Sequence, residues 1–317
     1  MLMRKTKQEL LKPPKKKFKL KAAMPVYLML LPGLLYMLLN NYVPMFGVVI
    51  AFKRLDFGKG LLGSPWCGFE NFKFLFGSSD AWIITRNTIG YNIIFLIVNN
   101  VLAIAMAVLL NEIRNKRTSK LYQTLVLLPY LMSWVIVSYL AYAYLANSTG
   151  LINTGILEPM GFEAVNWYGE KNMWPFILIF FNAWKGVGYS MIIYLSSVVG
   201  ISREYYEAAA LDGAGKWQQI TRITLPLLKP TVITLFILSI GRILNSDFGL
   251  FYQLPRNSSL LYSTTRTLDV YVYQALMLNN NYGMSSAASA FQSIVGFILV
   301  LFSNQILRKY EKSSALF

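Results

Sequence analysis

The chain has 317 residues, 55% apolar and only 14% charged, whereas a water-soluble domain carries about a quarter charged residues, so lipid is the solvent it suits. Its formal charge of +16 raises nucleic acid as a partner, but nine of its thirty Lys and Arg fall in the first 21 positions, ahead of an apolar stretch rather than on a folded face. With no His and one Cys, Cys67, it has no Ser-His or Cys-His nucleophilic pair, no ordinary zinc site and no intrachain disulfide.

In chain order, residues 1–23 read as a basic cytoplasmic tail, disordered up to about Lys21, and 24–317 as one membrane domain. No small-x-small cleavage site follows the first apolar stretch, so it is expected to stay as a helix rather than leave as a signal peptide. A membrane-crossing helix needs about 20 mostly apolar residues. Six segments qualify, at 24–43, 84–110, 121–146, 174–200, 230–252 and 284–307. With the N-terminus inside, twenty cations fall on inner segments and eight on outer ones, which places both termini in the cytoplasm. The fold expected is an all-α integral membrane protein with six transmembrane helices. Between the first two spans, the aromatic run from Pro65 to Phe76 suits the outer interface, either packing on the spans or docking a partner.

The fourth span predicts Lys185 about 16 Å from its outer end, and the fifth Arg242 about 18 Å from its inner end, at 1.5 Å per residue. Both then lie near the bilayer midplane, where ionisable residues are costly and face a wet interior. Asn182, Trp184 and Tyr189 accompany Lys185, while Asn245, Ser246 and Asp247 accompany Arg242. Aromatic faces with amide and cationic donors suit a sugar ring and its hydroxyls. The same cations can instead bond to carbonyls or to a partner's acids and hold helices together. The spare positive charge favours a sugar with a carboxylate, such as a uronic-acid oligomer. In the sixth span, Ser285, Ser289 and Ser293 recur beside Ala288, Gln292 and Gly296, small residues that predict close helix packing.

The segment between the fourth and fifth spans carries the most information. Ser202 is a good N-cap, with Glu204 and Glu207 early in the helix that follows. Gly213 and Gly215 can end that helix and turn the chain. A second amphipathic piece runs from Lys216 to about Thr224, and Pro226 and Pro230 are expected to break it before the fifth span. Two short helices in an L, on the cytoplasmic side, are therefore expected.

Glu207-Ala208-Ala209, then Gly213, then Ile223-x-Leu225-Pro226 resembles the EAA signature of ABC importer permeases, with no spacing error. The resemblance implies a cytoplasmic coupling loop, 201–230, seated in a cleft of a separate ATPase. Its contact residues are Glu207, Ala208, Ala209, Asp212, Gly213 and Ala214. Asn87-Thr88, Leu109–Glu112, Leu128–Trp134, Asn182–Tyr189 and Leu268–Tyr273 are similar to carbohydrate permeases, and more closely to the branch for complex oligosaccharides and polysaccharide fragments. Val270 and Gln274 depart from that branch's usual Thr and Arg, so no role is carried onto them.

The implied function is ATP-driven alternating access for oligosaccharides in the bacterial plasma membrane. The implied partners are a second permease subunit, two ATPases and an extracytoplasmic solute-binding protein. The chain lacks a Gly-x-x-x-x-Gly-Lys-Ser/Thr phosphate loop, so ATP and Mg are expected on the partner ATPases, with no cofactor, metal or catalytic residue here. A permease for another solute class (amino acid, peptide or metal) shares the EAA loop and is the alternative. A secondary transporter needs several intramembrane acids or an inverted repeat, neither of which is visible.

Overall fold

The computed structural model describes residues 20–77 and 79–310. Most of the basic tail lies outside these. Contacts divide the chain into one unit ending at Val49 and a second starting at Ile50. The first unit is a helix, α1 (Leu20–Met37), prolonged by a π-helical turn at Leu38–Tyr42 and a short helix at Val43–Met45. Its apolar side chains are exposed nearly throughout, Met29 to 82%, as a lipid-facing helix requires.

The second unit is built on α2 (Ser79–Asn111), α3 (Lys116–Leu131), α4 (Trp134–Leu145) and α5 (Trp174–Val199). It continues with α6 (Arg203–Leu211), α7 (Lys216–Gln219), α8 (Leu225–Ile240), α9 (Leu268–Met277) and α10 (Tyr282–Tyr310). Among the described residues there is no strand, only an isolated antiparallel bridge between Lys53 and Trp66. Among the described residues five helices are long and apolar enough to cross a membrane, and six spans result if α3 and α4, bent by 95°, count as one.

Helices α2 and α5 form the spine of this unit. Ala103 and Ala107, both fully buried, let α5 approach closely through Ala183, Val187 and Met191. The Tyr194 hydroxyl donates to Asn100 across the same seam. Donors along α2 tie down the irregular chain between α8 and α9. Asn87 reaches the carbonyls of Ser263 and Arg266, Tyr91 that of Thr264, and Asn92 those of Ile243 and Asn245. Buried backbone groups outside helices are satisfied in this way, as lipid or core burial demands.

The aromatic run after the first span folds onto its own chain. Asn71 donates to the carbonyls of Ala51 and Lys53, and Phe52 meets Phe69 and Phe72 at 5.6 and 5.4 Å. Ala51 packs with Ala287 and Ala290 of α10, while Trp66 and Phe69 remain 70% and 74% exposed. Of the small and polar residues expected to pack in α10, Ser285, Ala288, Gln292 and Gly296 are buried, whereas Ser289 and Ser293 are exposed.

Three expectations need correction. The span at 121–146 is broken, because α3 ends at Leu131 and Ser133 caps a new helix. The fifth span ends at Ile240 rather than 252, because Gly241 begins a turn and the chain runs irregularly to a π-helical turn at Gly249–Gln253. Pro226 and Pro230 do not break the helix before it. A π-helical turn at Ile220–Thr224 joins α7 to α8, Pro226 sits in the first turn of α8, and Lys216–Ile240 is one continuous helical rod. Pro at a helix start lacks only an N–H that has little to pair with there, and a wide turn absorbs the misfit.

Candidate functional site

The loop after α5 is built from its caps outward. The Ser202 hydroxyl accepts from the Glu204 N–H at 3.4 Å and starts α6. Gly213, at φ +80°, reverses the chain in the left-handed region where a Cβ is penalised. The Gly215 N–H donates to Gln218 Oε1 at 2.9 Å, and buried Gln219 donates to the Ala214 carbonyl at 3.3 Å. The hydroxyls of Tyr206 and Thr224, 2.9 Å apart, lock α6 onto the π-helical turn.

This frame leaves Glu207, Ala208, Asp212 and Gly213 exposed, with Ala209 and Ala214 half-buried. Beside them Tyr205, Leu211 and Trp217 are 59%, 90% and 74% exposed. Large apolar groups held in the open around small residues mark an interaction surface. Among the described residues no ion pair reaches Glu207. Leu211 and Trp217 were not singled out in the sequence, although each flanks the glycine turn and neither has a place on the packed face.

A second constellation forms at the break between α3 and α4. Pro129 sits in the last turn of α3, Met132 and Ser133 are extended, and Ser133 Oγ accepts from the Ile136 N–H at 3.3 Å. The ammonium of Lys185 on α5 donates to the Tyr130 carbonyl at 2.9 Å. A cation at the C-terminal end of a broken helix meets both an orphan carbonyl and the negative end of the helix dipole. The same ammonium lies 5.4 Å from the Tyr130 ring and 5.2 Å from the Trp134 ring, and Tyr130 stacks on Tyr189 at 4.9 Å. Trp134 Nε1 donates to Asp247 at 2.7 Å. Its indole lies against Gly249, where a Cβ would come within 2.2 Å of the ring.

Residues 99–312 match the family described as binding-protein-dependent transport system inner membrane component. The chain is 36% identical, over 285 residues, to the polygalacturonan/rhamnogalacturonan transport system permease protein YteP of Bacillus subtilis, covering 90% of this chain and 88% of YteP. Among solved structures it is similar to a bacterial ABC transporter involved in the import of the acidic polysaccharide alginate. The identity there is 33% and the TM-score 0.83, with 92% of this chain and 98% of that one covered. A second alginate transporter structure, in complex with an alginate pentasaccharide-bound periplasmic protein, matches at 32% and a TM-score of 0.82, over 92% and 96% of the two chains. The chain belongs to the family of binding-protein-dependent transport system inner membrane components. It is a multi-pass protein of the bacterial plasma membrane.

In this inner membrane component, the residues expected along the solute path separate into groups. Lys185 and Tyr189 meet at the break, through Tyr130 and Trp134. Asn182 lies on the seam with α2, where its Oδ1 accepts from Asn99 Nδ2 at 2.8 Å. Asn99 Oδ1, beside Asn182, is buried with no hydrogen-bond partner among the described residues. Trp184 points elsewhere, into an apolar cavity of about 580 Å³ with Phe176, Phe180 and Leu140.

Arg242, Asn245 and Asp247 are not on a helix, so the height expected for Arg242 on a continuous span does not apply. No ion pair joins Arg242 to Asp247 among the described residues. Asp247 instead joins the break. Tyr130, Trp134 and Asn99 were missed as site residues. The signal available was Ser133, a capping residue set directly before the apolar run that resumes at Trp134. Asp269 was also missed as an anchor: it accepts from the Ser246 hydroxyl at 2.8 Å and from Gln292 at 3.3 Å, fixing the segment that carries Asp247.

Proposed function

We propose that this permease takes up an acidic oligosaccharide by ATP-driven alternating access, coupled to separate ATPases through Glu207 and its neighbours. Both termini and the loop at 201–230 lie in the cytoplasm, because the cations concentrate on those segments. The loop is the contact with one of two ATPase subunits, which bind ATP and Mg. A second permease completes the pathway, and a solute-binding protein delivers the sugar outside. Exposed Glu207 is placed to meet a basic residue of the ATPase. Ala208 and Ala209, with Asp212, Gly213 and Ala214 at the turn, keep the approach close.

The observation that carries the substrate reading is the ammonium of Lys185, seated between two aromatic rings at a break in a span. One of its three donors is held by the Tyr130 carbonyl, which leaves two for a carboxylate. The rings of Tyr130, Trp134 and Tyr189 offer faces to a pyranose, and half-buried Asn182 offers its amide to the hydroxyls. One similar permease is named for polygalacturonan/rhamnogalacturonan transport and one similar transporter for import of the acidic polysaccharide alginate, which supports the same chemistry here. Arg242, exposed where α8 ends, adds a second cation along the path, with Asn245 beside it.

The test is ATP hydrolysis by the reconstituted complex with its binding protein, over a panel of neutral and uronic-acid oligosaccharides. Acidic members should raise hydrolysis several-fold and neutral ones of equal length should not. Equal stimulation by both classes overturns the acidic assignment. Stimulation by an amino acid, peptide or metal instead overturns the sugar assignment.

A further inference from the structure

A cleft of about 760 Å³ opens where the loop after α5 meets the turn between α2 and α3. Five cations line it (Arg114, Lys116, Lys120, Arg203 and Lys216), against one carboxylate, Glu112. Lys216 and Glu112 pair at 2.9 Å, which leaves four cations with no carboxylate partner among the described residues. Helix α3 starts at this cleft behind Asn115, and α6 starts at it behind Ser202, so two positive helix ends add to the same field. Its floor is apolar. Leu110, Leu195 and Val198 are all less than a tenth exposed and continue the buried faces of α2 and α5 into the membrane.

We propose that this cleft holds the phosphate headgroup of an acidic phospholipid of the inner leaflet. The inference rests on the cytoplasmic placement of the loop proposed above. Cations scattered on cytoplasmic loops satisfy the sidedness rule without sharing a cavity. Here they share one, over an apolar floor at the level where the spans leave the bilayer. Basic pockets at that level are suited to anionic headgroups. A soluble phosphate has the same charge but gains nothing from the floor. Arg203 and Lys216 flank the two arms of the coupling loop, so a bound headgroup braces that loop against the turn after α2, in parallel with the Lys216–Glu112 pair.

The experiment uses the assembled importer in nanodiscs, made with either zwitterionic lipid alone or about one-fifth phosphatidylglycerol. Two readouts are taken: phospholipid retained after delipidation, by native mass spectrometry, and solute-stimulated ATP hydrolysis. Wild-type complex should retain acidic phospholipid selectively and gain several-fold stimulation from it. The double variant Arg114→Gln/Lys120→Gln should lose most of both effects, and Arg114→Lys/Lys120→Arg should keep them. Equal retention by the Gln variant and the wild type overturns the proposal, as does displacement of the lipid by millimolar inorganic phosphate. Cross-linking of Lys120→Cys to an ATPase subunit with no lipid retained also overturns it, by assigning the cleft to the protein interface. Lipid retention does not depend on which solute is carried, so its failure is separable from failure of the transport assignment.

Discussion

Lys185 illustrates how one side chain can serve two purposes at once. Its ammonium caps the carbonyl end of α3 at Tyr130 and lies over two aromatic rings. Removing the cation loses a charge-assisted hydrogen bond at the break, worth about 1 kcal/mol in an exposed contact. Lys185→Met is therefore expected to lower the unfolding temperature of the purified complex and to cut uptake of an acidic oligosaccharide at least tenfold. Lys185→Arg, which keeps charge and donors, should restore most of the stability; uptake assays paired with thermal melts check both. Both of the uses foreseen for Lys185 in the sequence, a solute contact and a carbonyl contact, remain consistent with its position, and the carbonyl contact is the one the fold displays. What the sequence could not reveal was the carbonyl itself, because nothing in Tyr130 announces that its helix stops one residue later.

At the scale of elements, hydropathy located the spans and misjudged their interruptions. The run from 121 to 146 is apolar on both sides of Ser133, so a window average passes over the 95° bend between α3 and α4. Residues 243–251 are likewise apolar enough (Ile243, Leu244, Phe248, Leu250, Phe251) to prolong a span that actually stops at Ile240. Their carbonyls are satisfied by Asn92 and Gln292 from other helices, information that local sequence does not contain. Prolines misled in the opposite direction. The π-helical turn at Ile220–Thr224 lets Pro226 start α8 without a break, and its N–H groups bond five residues back, Leu225 to Ile220. Deleting Thr221 should convert that turn to α-helix and rotate α8 against α6 by about 100°. The expected result is a chain still present in the membrane whose complex no longer couples solute to ATP hydrolysis. Normal stimulation in that deletion would show the turn to be incidental.

For the molecule as a whole, the firmest sequence evidence was the spacing from Glu207 to Pro226, and the fold turns it into a surface with an apolar centre at Leu211 and Trp217. Glu207→Lys should abolish uptake while the ATPases continue to turn over, insensitive to solute; uptake at the normal rate would count against the coupling role. The loop also runs on into a long helix. Its second arm is one end of the helix Lys216–Ile240, 25 residues and about 37 Å long. A rod of that length behaves as a lever: a tilt of about 5° around its centre moves each tip by roughly 1.6 Å in opposite directions. One tip carries Trp217. Beyond the other, the chain from Gly241 reaches Asp247, which is hooked to the indole of Trp134. On the proposed coupling, a displacement received at the first tip would reach the second reversed in direction, at the strap that holds the aromatic ring beside Lys185.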